Sequence, residues 1–417
     1  MNKTPAQPRL TAWQVVIGFG LVSLAVDLVA DGARSVAGPL LGQLGASALT
    51  VSLVTGISEA LGYGLRLLAG PAVDRSRRYW AYAIGGYAIT GICVPLMAVS
   101  PFLGTAGLAV AACLIIFERV GKAVRSPAKT VLLAHAASAV GRGRGFGVHK
   151  TLDQVGAFAG PLVVAAIIAA TGALWPAFAA LALPAVIALI LLLWLRRRVP
   201  DPSVFEPVDL DAPAAPAASA HPAQPAPQAP ARGMKARTGL PVSFLLFCAS
   251  TALTTFGLVG FGLISFHLSD TNLLALAGVP LVYALGMAAG AVAALATGRI
   301  YDKVGAAVLL SVPVLAAGVP ALTLAGSLAP VLVGVVLWGA ATGIQDSTVK
   351  ALVADQVATE RRGTAYGIFA VFQGAGTFAG AALAGALYPD ATLLSFITVP
   401  AQVLAIVLLV IVIRRRR

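Results

Sequence analysis

The chain has 417 residues, 59% of them hydrophobic and only 11% charged, with a mean hydropathy of +0.90 and a formal net charge of +13. A water-soluble chain is roughly a quarter charged, so this composition excludes a soluble globular protein. A bilayer-spanning helix takes roughly 20 apolar residues, so the length holds about twelve spans with short loops and leaves no room for a large soluble domain.

The first apolar run, 13–38, follows Lys3 and Arg9 as the core of a signal peptide would. Asp27, Asp31 and Arg34 interrupt it and no small-residue cleavage site precedes them, so it is expected to stay as an uncleaved span. Those three residues are spaced by four and three and share one helix face. The second run, 48–72, carries Glu59 and Arg66, then meets the turn Asp74-Arg75-Ser76-Arg77-Arg78. After the third run, 80–99, the fourth, 103–136, carries Glu118, Lys122, Arg125 and Lys129 along one face, with Arg119 one step round. The fifth, 146–170, opens on His149, Lys150 and Asp153 and continues through Gly156, Gly160 and Pro161. The sixth, 174–195, ends on Arg196, Arg197 and Arg198.

Residues 199–239 are rich in Ala and Pro and lack apolar periodicity, the composition of a disordered, partly polyproline linker. Six further runs follow near 241–268, 274–298, 306–326, 329–357, 364–387 and 391–413. The expected organisation is a six-helix bundle over 1–198, the cytoplasmic linker 199–239, and a second six-helix bundle over 240–417. This half is poorer in charge. Gln345, Asp346 and Lys350 on the tenth run are its best polar candidates, and Tyr283, Trp338, Tyr366 and Gln373 are candidates to line a path. His267, alone at the end of the seventh run, reads as a surface residue. Cys93, Cys113 and Cys248 lie in apolar runs without C-x-x-C spacing and read as buried small hydrophobes.

The loops set the topology. One side carries the 74–78 turn, Arg142 and Arg144, Arg196 to Arg198, Arg232, Lys235 and Arg237, Arg299 and Lys303, Arg361 and Arg362, and Arg414 to Arg417. The turns near 45, 101, 172, 271, 328 and 389 contain neither Lys nor Arg. Positive charge accumulates on the cytoplasmic side, so both termini are expected there, in a multi-pass protein of the cell (inner) membrane. The same distribution accounts for the net charge without nucleic acid.

The halves echo each other. Gly70 and Asp74 match Gly298 and Asp302, and Gly147, Gly156 and Gly160 match Gly367, Gly376 and Gly380 at identical spacing. Duplicated transporter folds carry such paired motifs. An ionisable group inside a span costs about 2.5–3.5 kcal/mol and usually faces a bundle interior or a wet cavity. Asp27, Asp31, Arg34, Glu59, Arg66, Glu118, Arg119, Lys122, Arg125 and Asp153 therefore point to a polar cavity lined by the first, second, fourth and fifth spans, with Gln345 and Asp346 facing it. No Walker loop, H-E-x-x-H motif or Cys/His cluster occurs, which argues against ATP coupling in this chain, enzymatic hydrolysis and a bound metal or other cofactor.

With Gly70-Pro-Ala-Val-Asp74-Arg75-Ser76-Arg77-Arg78 between the second and third spans and a weaker copy from Gly298 to Gly305, the sequence resembles the major facilitator superfamily, with Arg77 where that family usually has Gly. Gly156-Ala-Phe-Ala-Gly160-Pro161 resembles the antiporter signature of its drug and proton exchangers. The resemblance implies an all-α fold of twelve spans in two pseudo-symmetric bundles that rock about a midplane cavity. It also implies gating by Gly70, Asp74, Arg75, Arg78 and Asp302, the Asp74 carboxylate locking the outward-facing state. The paired glycines Gly156, Gly160, Gly376 and Gly380, with Pro161, are expected to serve packing and hinge motion. The function expected is secondary active transport, as proton-coupled efflux of a small molecule by a monomer in the bilayer. The alternative is proton-coupled or facilitated uptake of an anionic metabolite. A non-transporting receptor or scaffold would leave so many intramembrane charges without purpose.

Overall fold

The computed structural model describes residues 10–205, 241–349, 352–353 and 362–415. Most of the expected linker (206–239), Lys350, Arg361 and the side chain of Asp302 lie outside the described residues.

Every described element is helical: α1 Ala12–Ser35, α2 Ala37–Gln43, α3 Ala48–Ser76, α4 Tyr79–Leu96, α5 Gly107–Val140, α6 Arg142–Thr171, α7 Trp175–Ala180, α8 Ala182–Arg198, α9 Val242–Phe256, α10 Phe261–Asp270, α11 Val279–Val304, α12 Ser311–Thr323, α13 Leu328–Ile344, α14 Arg362–Ala386 and α15 Ala391–Arg414, with short 3-10 and π turns between them. Eleven spans among the described residues are long and apolar enough to cross a membrane. The remaining traverse is α5, whose 34 residues exceed the roughly 20 a bilayer needs; its charged stripe dilutes its hydropathy. Polar side chains start several helices. Thr11 and Gln14 form a reciprocal capping box on α1, Ser47 accepts from Thr50 N at 3.2 Å on α3, and Asp390 accepts from Leu393 N at 2.8 Å on α15.

Three apolar clusters organise the packing. One, around Leu40, Leu41, Met97, Phe178, Phe261, Ile264 and Leu394, joins both halves of the chain at the end whose turns lack Lys and Arg. At the arginine-bearing end the core is split. A cluster around Phe19, Trp80, Tyr87 and Leu195 belongs to the first half, and one around Phe244, Phe247, Leu309 and Val412 to the second.

The glycine repeat is repeated in space. A Cβ on Gly156 would lie 2.2 Å from Leu24 O, and one on Gly160 2.3 Å from Leu28 O. In the second half a Cβ on Gly376 would lie 2.2 Å from Ala252 O, and one on Gly380 2.3 Å from Phe256 O. Helix α6 thus crosses α1 as α14 crosses α9, backbone against backbone. The symmetry stops at Gly147, which faces open space, whereas Gly367 abuts Leu67 of α3. Helix α6 continues unbroken through Pro161.

Three features depart from the sequence reading. The packed chain runs past 198: Val199 and Pro202 are buried, Trp80 Nε1 donates to Pro200 O at 3.0 Å, and Ser138 Oγ donates to Phe205 O at 3.4 Å. The seventh span breaks between Phe256 and Phe261, and Gln345–Val349 forms a π turn after α13. Cys113 is exposed, unlike buried Cys93 and Cys248; an apolar helix face in a membrane needs no protein cover.

Gly156→Ala and Gly376→Ala are expected to lower the detergent unfolding temperature, because a backbone carbonyl cannot yield to the methyl group. At Gly70 no neighbouring atom lies within 4 Å of the place a Cβ would take, and Gly70→Ala should be neutral or raise stability by about 0.5–1 kcal/mol through helix propensity. Thermal unfolding of the three purified variants checks this.

Candidate transport cavity

Between the helices lies a cavity of about 550 Å³. Its walls come from α1, α3, α5 and α6 on one side and from α11, α13 and the α9–α10 break on the other. All twelve residues expected to form a polar cavity line it: Asp27, Asp31, Arg34, Glu59, Arg66, Glu118, Arg119, Lys122, Arg125, Asp153, Gln345 and Asp346. Leu258, Val259 and Gly260 of the break line it too. Non-helical backbone at membrane depth is tolerated where it borders such a space.

Helical spacing brings these charges together in neighbouring groups of contacts. Nearest the closed end, Arg34 Nη1 lies 3.3 Å from Asp31 Oδ1, and its Nε lies 3.8 Å from Glu59 Oε1. Glu59 accepts from Arg119 Nη2 at 2.8 Å, and Arg119 Nε lies 3.5 Å from Glu118 Oε2. Further along, Arg125 is 4% exposed. It donates to Thr90 Oγ1 at 2.7 Å, approaches Asp27 Oδ1 at 3.8 Å, and stacks its guanidinium 4.7 Å above the Tyr87 ring. Asp27 and Asp153 both line the cavity here and are electrostatic neighbours. Lys150 Nζ donates to Asp153 at 2.6 Å, and Lys129 Nζ sits 3.9 Å from the other oxygen of that carboxylate. Lys129 also donates to Ser23 Oγ at 3.2 Å, which contacts His149 Nε2 at 2.9 Å.

Tyr283 ties these charges to the second half. Tyr283 of α11 donates to Asp31 Oδ1 at 2.8 Å and accepts from Arg34 Nη1 at 3.3 Å. Its ring packs edge-on against Phe261 at 4.7 Å, inside the apolar cluster that spans both halves. At that end α2 and α10 approach so closely that a Cβ on Gly38 would lie 2.1 Å from Gly262 O. No such cluster bridges the halves at the other end among the described residues, and there the Lys150 side chain is 66% exposed.

Several polar atoms have capacity to spare. Arg66 Nε, Glu118 Oε1 and Gln345 Nε2 are buried without a hydrogen-bond partner among the described residues. Lys122 makes neither a hydrogen bond nor an ion pair among the described residues, although Asp27 and Glu118 are its electrostatic neighbours. A buried polar group left unmatched costs about 1–3 kcal/mol, so a polar guest would find donors and an acceptor waiting.

The expected gating residues lie apart from the cavity. Asp74, Arg75 and Arg78 are exposed, and Asp74 makes no hydrogen bond or ion pair among the described residues. His267 corrects the expectation of a surface residue. It is 5% exposed, pairs through Nδ1 with Tyr388 Oη at 3.0 Å and through Nε2 with Ala325 O at 3.0 Å, and so fastens turns at the closed end. Sequence reasoning missed Ser23, Tyr87 and Thr90, which carry no signal of their own within apolar runs. Tyr283 was expected only to line a path, not to bridge the halves.

The chain is an all-helical membrane protein with a charged cavity at its centre, the architecture of a solute transporter. The comparisons with known proteins define the class more closely. The model of the Major Facilitator Superfamily matches residues 17–381, and the chain belongs to that superfamily of secondary transporters. An uncharacterized protein of Mycobacterium tuberculosis is 50% identical over 386 residues, covering 92% of this chain and 88% of its own. One of Mycobacterium bovis matches to the same extent, at 50%. Among solved structures, a nucleoside transporter superimposes with a TM-score of 0.71 at 11% identity, covering 95% of this chain and 99% of its own. A POT family transporter in complex with 5-aminolevulinic acid gives 0.69 at 11%, covering 96% and 95%. A bacterial homologue of the iron transporter ferroportin in an inward-facing state gives 0.63 at 13%, covering 96% and 98%. At such identities the likeness is one of fold.

Removing one member of a buried ion pair typically costs about 3–5 kcal/mol, since the other charge is left uncompensated. Arg125→Gln is therefore expected to destabilise the protein strongly. Adding Asp27→Asn should recover part of that loss, which a double-mutant cycle by thermal or denaturant unfolding would measure.

Proposed function

We propose that the protein is a proton-coupled exporter of a small molecule and works by alternating access. The observation that carries this reading is the placing of two carboxylates, Asp27 and Asp153, in the cavity wall, the first 3.8 Å from Arg125 and the second 3.9 and 2.6 Å from Lys129 and Lys150. Neighbouring carboxyls disfavour double ionisation, while nearby cations favour the charged form. A proton arriving on Asp27 weakens its hold on Arg125, and a proton leaving restores it. Arg125, Lys122 and Arg66 can then exchange partners between these carboxylates and the cargo, with Asp31, Glu59 and Glu118 as the further carboxylates in reach.

The arginine loops favour a cytoplasmic position for the open end of the cavity and for both termini in a cell-membrane protein. On this reading the state is the inward-open one of two bundles, the first taking in the packed 199–205 segment, joined by the linker. Division of the core at the open end and its fusion at the closed end support rocking of one bundle against the other. The glycine crossings of α1 with α6 and α9 with α14 hold each bundle together as it rocks. Asp74, without an ion pair among the described residues, is held in reserve with Asp302 for the outward-facing state, where it locks the closed cytoplasmic end. Efflux is favoured because the cavity loads from the cytoplasm and because the Gly156–Pro161 segment resembles the exchangers' signature. The second reading, uptake of an anionic metabolite, draws on α5, where Arg119, Lys122, Arg125 and Lys129 outnumber Glu118.

In proteoliposomes screened with a metabolite and drug panel, an imposed pH gradient should drive accumulation by the wild type. Asp27→Asn and Asp153→Asn should lose gradient-driven accumulation while retaining counterflow exchange. Full gradient-driven transport by both variants would overturn proton coupling at this pair, and concentrative transport of an organic anion indifferent to pH would favour the second reading. Tyr283→Phe, which frees Asp31 and Arg34, should shift the population toward the state closed at the arginine-bearing end, read by cysteine cross-linking at that end.

A further inference from the structure

A second hollow, of about 960 Å³, lies at the arginine-bearing end, where the turn between α3 and α4 meets the end of α8. Arg77, Arg78, Arg196 and Arg197 surround it, with Trp80 and Leu193 in its wall. None of the four arginines makes an ion pair or side-chain hydrogen bond among the described residues. The one acid in the wall, Asp201, is engaged by its own turn: Oδ1 accepts from Ser203 N at 3.0 Å and from Ser203 Oγ at 2.6 Å. Four guanidinium groups therefore share a concave site whose wall holds a single carboxylate, Asp201, among the described residues.

Positive-inside topology needs basic residues on this side but does not need them around one hollow. The backbone supplies a second, independent observation. Arg77 follows α3 in the left-handed region, at φ 52° and ψ 15°. The corresponding position in the second-half repeat is Gly305, also at positive φ, 65°. Glycine takes this conformation without the steric penalty an arginine incurs. The first half thus accepts a conformational cost and gains a guanidinium in the wall of the hollow.

The surroundings distinguish a lipid from a free anion. Leu183, Ile187, Ile190 and Trp194 are exposed along one face of α8, spaced by four, three and four, and lead away from the hollow into the membrane. A basic pocket at the end of an exposed apolar helix face matches an amphipathic ligand, phosphate below and hydrocarbon above. A free phosphate has no use for that face.

We propose that this hollow binds the phosphate headgroup of an anionic phospholipid, with the acyl chains lying along the exposed face of α8. The lipid fastens the α3–α4 turn to α8 and to the 199–205 segment, which Trp80 already joins through Pro200.

The test uses the purified full-length protein in a mild detergent, with thermal unfolding and native mass spectrometry as readouts. The probes are phosphatidylglycerol, phosphatidylcholine and inorganic phosphate. Phosphatidylglycerol is expected to bind saturably and raise the unfolding temperature, and the other two are not. Each basic residue near an anionic lipid contributes about fivefold in affinity, so Arg196→Gln with Arg197→Gln should weaken phosphatidylglycerol binding about 30-fold and Arg77→Gly about fivefold. Arg77→Gly should also keep or raise the lipid-free unfolding temperature, because it relieves the left-handed backbone; a purely structural arginine would not separate the two readouts. If the double variant fails to fold, Arg77→Gly carries the test alone. Lys303→Gln, in the corresponding turn of the second half, should bind lipid as the wild type does. Equal effects of phosphatidylglycerol and phosphatidylcholine, wild-type lipid binding by Arg77→Gly, or a full shift with inorganic phosphate alone would each overturn the proposal.

Discussion

A charge placed inside a membrane must find a partner, and the first half of this protein is arranged around that requirement. Five charged residues interrupt α5, and α1, α3 and α6 supply most of the groups that answer them. The result is a set of neighbouring ion-pair groups from Arg34 to Lys150 in which single carboxylates serve two cations: Glu59 serves Arg34 and Arg119, and Asp153 serves Lys129 and Lys150. Such sharing leaves the arrangement sensitive to one added proton or one added anion. Stability and responsiveness thus come from the same contacts.

The second half contributes less charge and more shape. It offers an aromatic wall in which Phe261, Tyr283 and Trp338 pack together, with ring centroids 4.7–6.2 Å apart. It also offers the α9–α10 break and the π turn at Gln345, both bordering the cavity. Irregular helix geometry at such places is common at functional sites. Tyr283 joins the two contributions: its hydroxyl belongs to the charge network and its ring to the apolar closure. The charge network and the apolar closure thus share this side chain.

Much of this was legible in the residue order because membranes make charge informative. Asp27, Asp31 and Arg34 at helical spacing, answered by the stripe on α5, identified both the cavity and its walls. The glycine repeat likewise anticipated the paired crossings of α1 with α6 and α9 with α14. Features that depend on three-dimensional neighbours were not legible. Thr90 and Tyr87 gain their role only because α4 lies against Arg125. His267 is buried because Tyr388 and Ala325 fold over it. The linker boundary fell early because a short segment after 198, though rich in Pro, is held by Trp80 and Ser138 from other helices. The break in the seventh span had a hint in Gly257 and Gly260, but the same residues occur in continuous spans.

The central claim is that one charged cavity forms the transport chamber and, in the state described, opens only at the arginine-bearing face. Single-cysteine variants at Ser126 and Thr342, both in the cavity wall, test it in a background lacking the native cysteines. They would be exposed to a membrane-impermeant thiol reagent in right-side-out and inverted vesicles without cargo. Rapid labelling of both sites from the cytoplasmic face, and little from the other, is the predicted result. Equal labelling from both faces, or faster labelling from the outside, would contradict the account.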